Sequence, residues 1–274
     1  MAPTLNIVGA GKVGRVLGRL FANSGVFSVQ DVLTRSHASA SAAVEFIGAG
    51  QAVADIGQMR AAQVWMLAVA DDQIAAACTQ LTATQALAGC VVFHCSGAMS
   101  SLDLLAAADA GAATASVHPV RSFADPAQVA SDFAGTFCGI EGDARALATL
   151  APALAAIGAQ PVAIDARAKT VYHAASVFAS NYLVTVMDAA LRAYQAAGMP
   201  EETARALAGP LATETLHNVL RMGPGRALTG PIARGDMATV ARQQSALDAW
   251  DAETGALYRA LALGTVGLAG RREA

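Results

Sequence analysis

Gly9, Gly11 and Gly14 are spaced G-x-G-x-x-G, directly after the apolar run Leu5–Val8 and at the start of a helix-like stretch opening with Lys12 and Val13. This spacing commits the segment to one local geometry: a strand, a tight turn and a helix. Gly9 allows the turn, Gly11 lets the backbone approach a pyrophosphate, and Gly14 lets the helix lie close on the sheet. The free N–H groups and positive dipole end of that helix favour phosphate. Gly9, Ala10, Gly11, Lys12, Val13 and Gly14 are therefore the expected dinucleotide-binding turn.

The rest of the first half alternates short apolar runs with alanine-rich helical ones, the pattern of a doubly wound parallel sheet. Strands are expected at Leu5–Val8, Val29–Leu33, Val64–Val69, Val91–His94 and Ala113–Val117. Two more apolar runs, Thr136–Ile140 and Pro161–Ile164, flank a helical stretch from Asp143 to Ile157 and extend the sheet. No strand-like run follows Asp165; helical patterns occupy Arg167–Ala197, Glu201–Met222 and Asp236–Leu263. The segment Met222–Gly235 holds four Gly and two Pro and reads as a loop. The expected fold class is α/β: an N-terminal Rossmann doubly wound sheet over residues 1–164, then an all-helical substrate and dimerisation domain over residues 165–274.

The bulk numbers exclude several classes of partner. A net charge of −3 over 274 residues leaves no basic footprint, so no nucleic-acid partner is expected. The longest segment without Asp, Glu, Lys or Arg, Gln73 to Leu102, is broken by Gln, Thr, Ser, His and Gly, so no membrane span is expected. The first strand begins almost at Met1, so no secretory signal is expected. Cys78, Cys90, Cys95 and Cys138 lack metal-ligand spacing and read as reduced thiols of a cytoplasmic protein, with no metal site. Only 14% of residues are charged against 54% hydrophobic, which points to a buried interface between copies, a homodimer.

The end of the second strand bears on which dinucleotide binds. NAD-type folds place an acidic residue there, on the ribose hydroxyls. In the run Asp31-Val32-Leu33-Thr34-Arg35-Ser36, Asp31 comes early and Thr34, Arg35 and Ser36 hold the carboxyl end. A guanidinium flanked by two hydroxyls suits a 2′-phosphate, which an acid would repel. NADP is the expected cofactor, although Arg35 also reads as an ordinary surface cation.

From Thr170 to Met187 there is no Asp, Glu, Lys or Arg. On a helix Lys169, His173, Ser176 and Ser180 fall within about 60° of one another. One polar stripe thus runs along a helix of Val, Ala, Phe, Leu and Met, expected to be buried on most sides. Carbonyl reduction needs a proton donor for the oxygen as hydride reaches carbon, and Lys169 or protonated His173 could supply it. The plainer alternative is hydroxyls bonded back to their own helix and a satisfied core histidine.

Taken together, Gly9-Ala-Gly-Lys-Val-Gly14, Ala68-Val-Ala-Asp-Asp72, His94-Cys-Ser-Gly-Ala98, Val117-His-Pro119, Lys169-x-x-x-His173 and Gly230-Pro-Ile-Ala-Arg-Gly-Asp236 resemble the Rossmann-like proteins with a DUF2520 C-terminal domain. Those are relatives of the 6-phosphogluconate and β-hydroxyacid dehydrogenases, pyrroline-5-carboxylate reductase and the deazaflavin-dependent NADP oxidoreductases. The resemblance implies an active site in the cleft between a Rossmann and a helical domain, the latter often dimerising. Lys169 matches the lysine that begins the central helix of β-hydroxyacid dehydrogenases, whereas His173 stands where those enzymes usually have Asn. Ser96 and Gly97 resemble the Ser-Gly element that holds substrate beside the nicotinamide, and Arg35 the arginine of NADP-using relatives.

Strand ends agree with this placement, because ligands of open α/β sheets bind beyond the carboxyl ends of strands. Val69 and Ala70 follow one strand and are expected at the cofactor. Asp71 and Asp72 equally suit a helix cap. Ser96 and Gly97 follow the next strand, and His118, held extended before Pro119, follows a third. His94 reads as structural. Arg234 suits a substrate carboxylate, and Asp236 either joins it or caps the next helix. The expected activity is NADP-dependent reduction of a small carbonyl compound or oxidation of a hydroxy acid, with Lys169, His173 and Ser96 catalytic and Gly97, His118, Ser176, Arg234 and Asp236 at the substrate. A non-catalytic NADP sensor and hydride exchange between NADP and a deazaflavin are the alternatives.

Overall fold

The computed structural model describes residues 1–271; residues 272–274, the end of the expected helical domain, lie outside the described residues. In chain order the first part holds β1 (Thr4–Val8), α1 (Lys12–Ser24), β2 (Ser28–Leu33), α2 (His37–Ile47), β3 (Gln51–Val53), β4 (Val64–Leu67), α3 (Ile74–Thr84), β5 (Val91–His94), α4 (Leu105–Asp109), β6 (Ala113–Pro119), α5 (Pro126–Ser131), β7 (Phe137–Gly142), α6 (Ala144–Ala156) and β8 (Gln160–Ala163). The strands form one sheet in the order β3-β2-β1-β4-β5-β6-β7-β8. All neighbours are parallel except β6 and β7, so β7 and β8 run against the rest.

Both faces of the central strands are covered, which is why they read as unbroken apolar runs. On β4, Val64 and Met66 join the core that α1 and α6 build with Leu17, Phe21 and Leu150. The alternate residues Trp65 and Leu67 join Ile74, Leu81 and Leu104 on the opposite face. The polar residue inside β1, Asn6, is fully buried and satisfied: its amide donates to the Arg60 carbonyl and its oxygen accepts the Asp31 N–H.

The remaining helices are α7 (Lys169–Ala179), α8 (Asn181–Ala196), α9 (Glu201–Met222), α10 (Pro224–Ala227), α11 (Met237–Trp250) and α12 (Ala252–Gly270). The expected helix over Arg167–Ala197 is broken at Ser180, and contacts divide the chain there into a unit Met1–Ser180 and a second that begins at Asn181. This division lies beyond the expected boundary near Ile164, because α7 is held by the sheet through side chains described below. Residues 166–196 are long and apolar enough, by length and composition alone, to cross a membrane. The break at Ser180 falls inside that stretch, and the ammonium of Lys169 near its start is bound to the sheet.

Within the second unit, Arg192 on α8 bonds Asp188 at 3.0 Å and Asp251 at 2.8 Å. Asp251 also breaks the helix expected over Asp236–Leu263: its carboxylate accepts the Glu253 N–H and the Thr254 hydroxyl and so caps α12. The expected loop Met222–Gly235 contains α10 and a 3-10 turn, Ile232–Arg234.

Candidate active site

The glycine turn takes the form its spacing requires. Gly9 has φ +83°, and a Cβ there would lie 2.6 Å from the Ala68 carbonyl oxygen. At Gly14 a Cβ would lie 2.7 Å from the Gly9 carbonyl and 2.8 Å from Ala68 Cβ, so a side chain would push α1 off the sheet. Gly11 differs: nothing approaches its Cβ position within 4 Å, and it caps α1 without any side-chain bond. Open backbone at a helix start is a cradle for an anion. The residues thus fit a dinucleotide pyrophosphate on Gly11, Lys12 and Val13. Ala10 is buried behind them, its carbonyl accepting two bonds from Arg15.

Beside the turn opens a cavity of about 350 Å³, lined among others by Gly11, Lys12, Val13, Val69, Ala70 and Asp71 on one side and Ser96, Gly97, His118 and His173 on the other. Every lining residue belongs to the Met1–Ser180 unit. Lys12 bonds the Ala124 carbonyl at 2.9 Å, and Arg121 is engaged by Asp132 and Thr136. Asp71 and Asp72 lie in a 3-10 turn before α3 and make no side-chain cap.

Ser96 is placed by its neighbours. His94, fully buried, accepts the Ser96 N–H on Nδ1 and donates from Nε2 to the Ser100 carbonyl, so it clamps both ends of the turn as a neutral ring. Burial holds its pKa below the ordinary value, against a smaller opposing pull from the Ser100 bond. The Ser96 hydroxyl accepts N–H bonds from Ala98 at 3.1 Å and Met99 at 2.9 Å, which leaves its own proton to offer a ligand.

Across the cavity, the His118 and His173 rings meet edge to face at 5.5 Å, and His118 Nδ1 lies 3.0 Å from the Tyr172 hydroxyl. Gly97 sits against both rings; a Cβ there would collide with His173 and lie 2.7 Å from His118 Nε2. Burial first, then the neighbouring His173 and Lys169, push the His118 pKa down to about 4, with Asp71 opposing.

Lys169 departs from its expected place. It does not line the cavity: the side chain is 1% exposed, its ammonium donates to the Ser116 hydroxyl and lies 3.6 Å from Glu141. Glu141 also accepts the Ser101 N–H at 2.8 Å and hydroxyl at 2.6 Å, and Ser116 donates to the Ser96 carbonyl. Burial lowers the lysine pKa and Glu141 opposes that shift. The reason for the departure is charge: an ammonium taken from water is retained only beside a counter-ion with its protons satisfied, and that partner sits on β7.

The other expected residues separate. Ser176 is outside the cavity lining, and its carbonyl accepts the Ser180 hydroxyl, the plainer arrangement. The helix is not buried on most sides within this chain, for Val171 is 75% exposed. Arg234 and Asp236 belong to the second unit; Asp236 caps α11 by accepting the Thr239 N–H at 3.0 Å, and Arg234 ends the preceding turn, exposed. At the end of β2, Arg35 is exposed, the Thr34 hydroxyl donates to the Ser36 carbonyl, and Ser36 caps α2. Asp31 is buried in an ion pair with Arg60 at 2.6 Å, and so is withdrawn from ribose.

Tyr172, Glu141 and Ser116 were not singled out by sequence. Tyr172 lies three residues after Lys169, close enough in helical angle to share its stripe. Glu141 is an acid within an otherwise apolar strand, a pattern that itself calls for a buried cation.

A strand-turn-helix glycine turn facing a polar wall beyond the strand ends is the arrangement of a Rossmann-like fold. The family models agree: a Rossmann-like domain matches residues 3–119 and the domain of unknown function DUF2520 matches residues 136–265. The chain belongs to the Rossmann-like proteins with a DUF2520 C-terminal domain. No curated protein matches the sequence. Among solved structures it is similar to protein TM1727 from Thermotoga maritima, at 27% identity and TM-score 0.74, covering 98% of this chain and 100% of that one. The candidate NADP oxidoreductase BF3122 from Bacteroides fragilis matches at 19% identity and TM-score 0.81 (97% and 98% covered). A reductive aminase from Aspergillus terreus, in complex with NADPH and ethyl-5-oxohexanoate, matches at 19% identity and TM-score 0.66 (99% and 93% covered). The fold is thus that of NAD(P)-dependent reductases.

Replacing Lys169 by Met is expected to cost about 3–5 kcal/mol in urea unfolding, because it strands a buried carboxylate. Lys169→Met combined with Glu141→Gln should recover most of that loss. If the ammonium instead faced the cavity freely, the single change would stay within about 0.5 kcal/mol of wild type.

Proposed function

We propose that this protein is an NADP-dependent oxidoreductase that reduces the carbonyl of a small molecule or runs the reverse oxidation. The observation that carries this reading is the shared cavity: the open Gly11 turn and the polar residues Ser96, His118 and His173 line the same space. Bound NADPH would supply hydride from its nicotinamide ring. The chain's own residues do the rest. Gly11, Lys12 and Val13 hold the pyrophosphate, Val69 and Ala70 flank the cofactor, and Ser96 with Gly97 orients the substrate. His173 is the proton donor for the substrate oxygen, since Lys169 is committed to Glu141 and Ser116. Thr34, Arg35 and Ser36 are proposed to take the 2′-phosphate, a reading supported by the withdrawal of Asp31 into its pair with Arg60.

We further propose that two copies associate through the helical unit, with the cytoplasm as the working compartment. Support for association comes from large apolar side chains exposed there in the single chain, among them Val184, Leu220 and Leu263. Light scattering on the purified protein is expected to give twice the chain mass; a monomer at micromolar concentration removes this proposal.

Fluorescence titration tests the cofactor assignment. NADPH should bind at least about tenfold more tightly than NADH, and Arg35→Ala should erase the difference. Tighter binding of NADH overturns the role given to Arg35. A screen of 2-oxo acids and imines, following NADPH loss, should find turnover; binding of NADPH with no turnover of any of them favours a regulatory protein instead.

A further inference from the structure

We propose that His118 serves this site as a neutral imidazole whose Nε2–H is the hydrogen-bond donor to the substrate oxygen, with Tyr172 as the positioning residue that fixes its tautomer. The proposal rests on the reductase reading and adds to it an assignment of atoms.

The contact between Tyr172 and His118 Nδ1, at 3.0 Å, can be made in two ways. If Nδ1 carries the proton, the hydroxyl accepts it and must find another acceptor for its own proton. Among the described residues the hydroxyl has one hydrogen-bond partner, Nδ1. If the hydroxyl donates to Nδ1, the contact joins the better donor, a phenol, to the better acceptor, an imidazole nitrogen, and the one donor left over is the ring proton on Nε2, which faces the cavity. The hydroxyl oxygen is held within reach of Nδ1, because it packs on Gly139 of β7 where any Cβ would collide with it. Burial also raises the Tyr172 pKa, so the phenol keeps its proton to donate.

Nε2 then faces the space that the missing side chain of Gly97 leaves open, and among the described residues no protein group bonds it. The groups facing the ring are Tyr172, His173, Lys169 and Asp71; burial and the two basic neighbours, His173 and Lys169, outweigh Asp71 and keep the imidazole uncharged near neutral pH. A neutral N–H is a weak acid. It stabilises negative charge building on an oxygen while keeping its proton, and it costs no charge burial when the site is empty. The Ser96 hydroxyl, its lone pairs occupied by the Ala98 and Met99 N–H groups, is a second donor into the same cavity. Together the two form a pair of neutral donors for one developing oxyanion, and no proton leaves Nε2 in this role.

The test is long-range ¹H–¹⁵N NMR of the imidazoles at pH 7 in the full-length protein, with and without NADP. Five histidines are present, and His118 is assigned by the signal lost in His118→Gln, or by elimination with His173→Asn should that variant not fold. The expected result is a neutral ring protonated on Nε2 and bare on Nδ1. Tyr172→Phe should turn it into a mixture of tautomers, and with a turned-over substrate should lower kcat about tenfold with little change in KM. A proton on Nδ1, an imidazolium at pH 7, or an unchanged tautomer in Tyr172→Phe overturns the proposal. NADPH titration of the same samples separates the two claims: failure to bind NADPH removes the reductase reading, whereas tight binding with the reverse tautomer removes this assignment alone.

Discussion

The ammonium of Lys169 is the charge around which the site is built. It is buried at 1% exposure and would be untenable without Glu141 and the Ser116 hydroxyl. Its two partners reach on to the two ends of one short loop: Glu141 holds Ser101, and Ser116 holds the carbonyl of Ser96. The same lysine begins α7, which carries Tyr172 and His173. One buried cation therefore fixes the loop that presents Ser96 and Gly97 and the helix that presents the aromatic wall opposite. Breaking it would loosen both sides of the cavity together, a stronger constraint than either wall could impose alone.

Around that anchor the cavity is shaped as much by missing atoms as by present ones. Gly11 leaves room for phosphate oxygens on one side, and Gly97 leaves room beside the His118 and His173 rings on the other. The polar groups between them are mostly neutral donors already held by their neighbours: Ser96 by two backbone N–H groups, His118 by Tyr172. Held in this way, they need no rearrangement when charge develops on a ligand, which is where fixed dipoles exceed water as a solvent. The cations lining the cavity, Lys12 and Arg121, are engaged at the chain's own oxygens.

The sequence made legible those features that depend on spacing along the chain. The glycine turn is one, because its chemistry is backbone geometry at fixed intervals. The early place of Asp31 in its strand and that of Arg35 just past the strand's end are another, because position along a strand decides which end a side chain occupies. The central strands were readable as short apolar runs, and α9 from its helical pattern. What escaped depends on residues far apart in sequence. Apolar runs carry no direction, so the reversal of β7 against β6 left no trace in the pattern. Helical phase put Lys169 and His173 on one face, yet the depth of Lys169 was decided by Glu141 on a distant strand. The break at Ser180 was hidden because serine continues a helical pattern without interruption. Asp236 was legible only as two alternatives, and the capping one is what the structure holds.

A crystal structure of the protein with NADP bound tests the central claim most directly. The account predicts the pyrophosphate on the Gly11–Val13 backbone and the nicotinamide ring in the cavity against Ser96 and Gly97, with its C4 open toward His118 and His173. A dinucleotide bound with its nicotinamide ring outside that cavity, or its pyrophosphate away from Gly11, would contradict it.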